Sequence, residues 1–414
     1  MSSSSVPRCP VLDPSGSAMH AEAAVLRARG PAVLVELPGS VHAWSVTRHA
    51  VIQALTGDPR VSRDFRRHWP GVADVPEGWA LGPVAFQDSF ANTHGAEHHR
   101  ARGRIAPAFS PRRVEAMRPQ VQATADRLVE AIGALPPGER VDLRQALSLP
   151  LTMTVICDLF GVPEYLRAAI GHAIDTLLDS TLAPPEMLAA QAELHDRLSE
   201  FIAHKRAHPA ADLTGDLLLS AGPGEQPMSE PELIGTMFAM IGAGYETAVN
   251  LITSAVHALL THPEHLDRLR AGTVGWTDVI EETLRVEGPV MHLPLRYAVE
   301  DIDLGEGVVI PKGDPIIIGF AAAGRDPLVH PDRPDAFDPT RADKAHLAFG
   351  FGPHFCLGAH LARLEAQIAL TTLFARLPEL ALADPGQEPT RVQSMMVNGL
   401  VGLEVVPRPR STAE

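Results

Sequence analysis

The chain has 414 residues, of which 45% are hydrophobic, 21% charged and only 5% aromatic, so its core is built mainly from Ala, Leu, Val and Ile. A net charge of −15 excludes nucleic acid as a general partner, because phosphate binding needs a basic face. No apolar run is long enough to span a bilayer. The opening "MSSSSVPRCPVLDPSG" lacks the apolar segment of a signal peptide, so residues 1–20 read as a flexible polar arm and the protein as cytoplasmic. Residues 30–65 carry short alternating runs, "AVLVEL" and "HAWSV", broken by Pro38-Gly39, which predict a small hairpin region. From about 95 to 290 the pattern is helical, with turns such as "LPPGE" and "AGPGEQP". Strands return over 293–325, where Pro311 and Gly313 mark a turn. The segment 390–407 reads as a closing hairpin around Asn398-Gly399.

Cys9, Cys157 and Cys356 are too far apart for a disulfide framework or zinc spacing. Cys157 lies in the apolar run "LTMTVICDLFG" and reads as a small buried hydrophobe, and Cys9 belongs to the arm. Cys356 stands in "FGFGPHFCLG", just before a segment in which Leu357, Leu361, Leu364 and Ile368 recur at helical spacing. The sulfur is therefore expected at a helix N-terminus, where free N–H groups and the dipole favour a thiolate and lower its pKa. Gly350, Gly352 and Gly358 permit turns that aim N–H groups at the sulfur and leave room for a flat group. Phe349 would shield the sulfur from water. One thiolate without a second ligand nearby points to a metal held mainly by something else, such as a porphyrin. Two other readings stand beside it. A catalytic nucleophile would need a base, and the side chain of His354, two residues away, diverges. An inert cysteine in a structural loop is the other.

Upstream, "EETLR" sets Glu282 and Arg285 at i, i+3 on one helix face, as a surface ion pair or a buried one. Ser229, Pro231 and Glu232 make a capping box and first turn for a helix running to about Thr261, roughly 50 Å long. Gly242 and Gly244 in its middle forfeit about 1 kcal/mol each of helix propensity. Either a ligand comes close to the backbone there or another helix crosses closely. Thr247 is placed to bond back to a carbonyl and bulge the helix.

Phe349, Gly350, Gly352, His354, Cys356 and Gly358 match the haem-binding signature of the cytochromes P450, and both upstream motifs stand in that family's order. The chain resembles the family over nearly its whole length, and soluble actinobacterial members in particular. The resemblance implies one domain over 21–414 of mainly α class with small β-sheets (α+β), a triangular fold with a long central helix and a haem-thiolate loop. It implies haem b, with Cys356 as the iron ligand and Phe349, Gly350 and Gly358 shaping the loop. Glu282, Arg285 and the Arg341 of "FDPTR" would form a buried structural group behind it. Ala243, Gly244, Glu246 and Thr247 match the oxygen-activating element, with Thr247 bonding dioxygen and Glu246 delivering protons through water. The implied propionate anchors are His98 and Arg102 of "HHRARGR", Arg296 of "PLRYAVED" and His354, while Arg100 and Arg104 read as solvated. Ala248 stands where many relatives carry threonine, with little effect expected.

The implied activity is monooxygenation by a haem-thiolate enzyme, a cytochrome P450 oxidoreductase acting as a monomer on O2 and a small organic molecule. With no flavin or nicotinamide fingerprint, electrons are expected from a ferredoxin and its reductase, docking on Arg104, Arg112, Arg113, Lys344 and Arg363. Trp69, Phe86, Asp88, Ser89, Phe90, Ala243, Val290, Met291, Met395 and Met396 are the candidate pocket. They fit a moderately large apolar or aromatic substrate, such as a secondary metabolite or a steroid. "VAFQDSFANTHG" also resembles relatives that couple tryptophan-containing cyclic dipeptides, so oxidative C–C or C–N coupling is the alternative reaction. A peroxygenase would alter the Glu246-Thr247 pair, and a non-catalytic haem sensor or carrier would have no use for it.

Overall fold

The computed structural model describes residues 9–219 and 227–409, so the first eight residues of the arm and all but the last of "AGPGEQP" lie outside the described residues. The rest of the arm is not loose. Leu12 is fully buried, its N–H bonds the Glu36 carbonyl and the Glu36 N–H bonds that of Pro10, after which helix α1 (Met19–Arg29) begins. A leucine in a polar start is what anchors it.

Strands β1 (Val33–Leu37) and β2 (Val41–Val46) form the expected hairpin, with Gly39 at φ 73° in the turn. Strand β3 (Val61–Ser62) follows. Helices α2 (Gly95–Ile105), α3 (Pro111–Gly133), α4 (Leu149–Phe160), α5 (Glu164–Leu178) and α6 (Pro184–Ala207) come next. The long helix α7 (Glu230–Thr261) and α8 (Trp276–Val286) complete the helical stretch. Strands β4 (His292–Ala298) and β5 (Pro315–Gly319) then complete a five-stranded sheet ordered β1-β2-β5-β4-β3. The last long helix is α9 (Ala359–Arg376).

Helix α7 begins where its capping box places it: the Ser229 N–H bonds Glu232 Oε2 at 2.7 Å and the Ser229 hydroxyl accepts from the Glu232 N–H at 3.4 Å. It runs through the main apolar cluster with 21 of its residues buried, so tertiary packing supports its two weak helix formers. Those glycines answer to neighbouring helices. A Cβ on Gly242 would come within 3.1 Å of Ile174 on α5, and one on Gly244 within 2.5 Å of Ile156 on α4. Close crossing, not room for a ligand, accounts for both. Thr247 bonds back to the Ala243 carbonyl at 2.8 Å, while the helix stays continuous.

The segment 390–407 departs from a hairpin turning at Asn398-Gly399. Its two arms meet through Val392–Gly399 and Val401–Thr390 backbone bonds, with the reversal at 394–397. Asn398 is buried, with its amide on Glu287 and the Gly288 carbonyl, and Gly399 faces Asn250 too closely for any side chain. Strand Glu404–Val406 then pairs with Val141–Asp142 and Ala381–Leu382 in a second sheet. No single helix among the described residues is long and apolar enough to cross a membrane.

Candidate active site

The Cys356 loop is held from both ends. The Gly350 N–H bonds the Leu347 carbonyl at 2.8 Å and the Cys356 N–H bonds that of Phe349 at 2.9 Å. Gly350 and Gly352 sit at φ 72° and 75°, left-handed values that favour glycine. Gly358 does not share this: its φ is −82°, and its N–H donates to the sulfur. Cys356 lies just ahead of the first turn of α9 and keeps an exposed surface, yet protein crowds the thiol on its other sides. Burial therefore pushes its pKa up, against the pull of the Gly358 N–H, Arg102 and Arg363, where helix position alone would have lowered it. The Arg363 guanidinium lies 4.4 Å over the half-buried Phe349 ring, so that ring braces the loop. Among the described residues no three His, Cys, Asp or Glu side chains cluster as a metal cage, so a metal at Cys356 needs its other ligands from elsewhere.

Behind the loop, Glu282 and Arg285 are fully buried and joined by two 2.7 Å hydrogen bonds. Arg285 also donates to the Gly324, Pro334 and Ala336 carbonyls. Arg341 approaches Glu282 at 3.5 Å. The three residues come together as expected. The neighbouring Glu281, which the motif does not mark, bonds Arg363 at 2.6 and 2.9 Å and His346 at 3.0 Å. Burial alone would raise its pKa, but those partners hold it down to about 2.

The propionate candidates form a cationic group. The His98 and His354 rings pack against each other at a 35° tilt with centroids 3.8 Å apart, and the two His98 nitrogens face the Phe90 and Pro353 carbonyls at 2.8 and 3.2 Å. Arg102 donates to the Phe355 carbonyl at 2.6 Å. Arg296 is buried, and burial together with Arg63 lowers its pKa to about 9. His354, in the field of Arg296, Arg63, His98 and Arg102, is driven far below the usual histidine range, burial being the larger cause. Among the described residues no carboxylate pairs with Arg63, Arg102 or Arg296. A group bearing carboxylates at its edge, as haem does, fits that charge.

On α7, Ala243 is exposed in mid-helix and Thr247 half-exposed, while Glu246 is buried. Glu246 pairs with Arg144 at 2.8 Å and accepts from the Asn250 amide at 3.1 Å, and Arg144 bonds Asn250 at 3.0 Å. Burial raises the Glu246 pKa, and Arg144 opposes it. Arg144 opens a π-turn, Arg144–Ser148, ahead of α4. Its one sequence signal is a charge heading an apolar helix.

A cavity of about 620 Å³ lies between residues 65–88, α6 and the first turns of α7. Phe65, Trp79, Phe86, Leu194, Ile234 and Phe238 are among its walls, with Glu77, Asp88, Gln191 and His195 as polar members. Of the candidate pocket residues, Phe86 and Asp88 line it. Asp88 pairs with Arg66. Trp69 is buried, stacked on Tyr297 at 5.4 Å and packed beside Phe86. Phe90 stacks on His98, and Ser89 is buried beside it with its hydroxyl unpartnered. Met291, Met395 and Met396 are core residues and the half-buried Val290 pairs with Val397, and none of the four lines this cavity. The expected docking cations also divide: Lys344 is held by Asp278 and Arg363 by Glu281, while Arg112 and Arg113 are exposed, Arg113 3.9 Å from the exposed Asp216.

Residues 85–273 and 276–400 match the Cytochrome P450 family. The chain belongs to the cytochrome P450 family. It is 41% identical over 412 residues to the 2-hydroxy-5-methyl-1-naphthoate 7-hydroxylase of Streptomyces carzinostaticus, covering 98% of this chain and 99% of that one. Identity to the P450 monooxygenase PikC of Streptomyces venezuelae is 39%, over 92% of this chain and 89% of the relative. The solved structure of CYP154A1 from Streptomyces coelicolor superposes with a TM-score of 0.93 at 46% identity, over 97% of this chain and 100% of that one. The protein is thus a P450 monooxygenase of the actinobacterial kind, with haem b as its cofactor and the P450 fold.

Proposed function

We propose that this P450 hydroxylates a moderately large, apolar or aromatic secondary metabolite held in the cavity beside α7. One observation carries the reading. Gly235 on the cavity wall, Ala239, Ala243 and Thr247 form a single i, i+4 row along α7, so the row leads from the apolar cavity to the threonine. Aromatic and aliphatic walls expel water and grip flat or branched carbon skeletons. The naphthoate hydroxylase of S. carzinostaticus and the testosterone-bound CYP154C4 from Streptomyces act on or hold ligands of that kind.

Cys356 would hold the iron, and His98, Arg102, Arg296 and His354 the propionates. Bound haem supplies the activation of dioxygen, using two electrons and two protons. Thr247 presents its hydroxyl on the row facing the substrate. Glu246, one position round the helix, passes protons on through water; burial raises its carboxyl pKa against the pull of Arg144, which fixes its orientation. Electrons come from a ferredoxin, with Arg112 and Arg113 among its contacts.

The test is a binding screen of naphthoates, macrolides and steroids read by the spin-state shift of the haem. Ferredoxin-supported turnover of the hits and product mass then follow. A gain of one oxygen is expected. A dimer mass would assign coupling instead, and hits without NADH consumption would assign a carrier. Turnover unaffected by Arg112→Glu with Arg113→Glu at low salt would remove those contacts from the docking face.

A further inference from the structure

The register of the main sheet sets two arginines against each other. Strand β3 pairs antiparallel with β4 as Val61↔Ala298 and Ser62↔Tyr297; one residue past the end of β3, continuation of that register sets Arg63 opposite Arg296, close enough that its charge acts on Arg296. Directly opposed residues of an antiparallel pair project to the same side, and like charges there are destabilising. Both arginines are buried, at 4% and 3% exposure. Arg63 donates to Asn92 Oδ1 at 2.9 Å and to the Pro294 carbonyl at 3.3 Å, both neutral, and its Nε is without a partner. The Tyr297 hydroxyl beside it on β4 is unpartnered too. Burial lowers the pKa of Arg63 to about 10, a sign that the surrounding protein does not meet its charge.

Two uncompensated guanidinium groups at neighbouring register positions require an anion between or beside them. We infer that Arg63 is a further propionate-binding residue, pairing with Arg296 as a two-arginine clamp on one haem carboxylate. The inference rests on haem occupying the site assigned above. The Arg63 Nη2 is spent on Asn92 and Pro294 and the Nε is enclosed, so the remaining amino group, Nη1, which no acceptor among the described residues takes, supplies the hydrogen bond that a carboxylate accepts. Nothing in "RVSRDF" marks this role, since only the β3–β4 pairing brings Arg63 to Arg296.

The test uses the haem-loaded Arg63→Gln and Arg63→Lys proteins, with three readouts: transfer of haem to excess apomyoglobin, the ferric–ferrous midpoint potential, and the propionate bending band in resonance Raman spectra. Arg63→Gln keeps an N–H donor for Asn92 but no charge. It should release haem roughly ten- to a hundredfold faster, the loss expected for one hydrogen bond to a charged group, and lower the potential. Arg63→Lys should keep the potential of the parent while shifting the propionate band, because the charge remains and the planar N–H donor held in place by Asn92 and Pro294 does not. A merely structural role would lower folding stability in both variants and move neither potential nor band. Parental release, potential and band in Arg63→Gln would overturn the clamp. Should that variant not fold, an unshifted band in Arg63→Lys overturns it. A protein that binds no haem at all would instead refute the Cys356 site.

Discussion

At residue scale the sharpest feature is a missing side chain. Gly244 falls in the motif that resembles the oxygen-activating element, but what it accommodates is Ile156, which is itself buried. Alanine there gains about 1 kcal/mol in helix propensity. It also sets its Cβ against both Cγ1 and Cδ1 of Ile156, an overpacking that costs about 1–3 kcal/mol. The overpacking outweighs the gain in propensity, so Gly244→Ala should lower the urea midpoint, and adding Ile156→Val, which removes Cδ1, should restore part of the loss. A stabilised Gly244→Ala would show that the crossing has slack. Such a position is visible in sequence only as an unfavourable glycine. Whether it serves a ligand or a neighbouring helix depends on α4, some ninety residues earlier.

Elements are tied together here by a few buried charges. Helix α8 presents Glu282 to the loop leading to Cys356 and Glu281 to α9, so adjacent residues brace both sides of the sulfur. The Glu281 carboxyl is held at about 2 in the folded state, against 4.5 ordinarily. A depressed carboxylate contributes stability that is present above its unfolded pKa and is lost as pH falls. The α8–α9 tie should therefore weaken between about pH 4.5 and 2. Denaturation midpoints measured across that range should fall in the parent and stay flatter in Glu281→Gln. Equal slopes would show that the tie does not contribute. Helix α7 is braced by the Arg144–Glu246–Asn250 triad, and Arg144 bonds a residue 102 positions away. That distance is why the helix start and cap were legible from Ser229 and Glu232, whereas the arginine that fixes Glu246 was not.

For the whole molecule, what local sequence encodes was readable: the Cys356 loop, the hairpin at Pro38-Gly39, the long helix, and the Glu282–Arg285 pair. What long-range facing decides was not. Met291, Met395 and Met396 are apolar, but that they pack in the core and not on the walls of the cavity beside α7 follows from long-range packing the pattern does not reveal. The cavity walls from Phe65, Trp79 and Phe238 come from three separate stretches that only the fold assembles. The cationic group around His354 likewise draws on the β3–β4 pairing, α2 and the Cys356 loop. Everything in the functional account converges on the sulfur of Cys356 as the iron ligand. The direct measurement is the absorption spectrum of the purified, haem-loaded protein reduced under carbon monoxide, taken beside Cys356→Ser. The parent should show the Soret band displaced to long wavelength that marks thiolate-ligated ferrous haem, and the variant should lose it. An undisplaced band in the parent, or the same displaced band in both, would contradict the assignment.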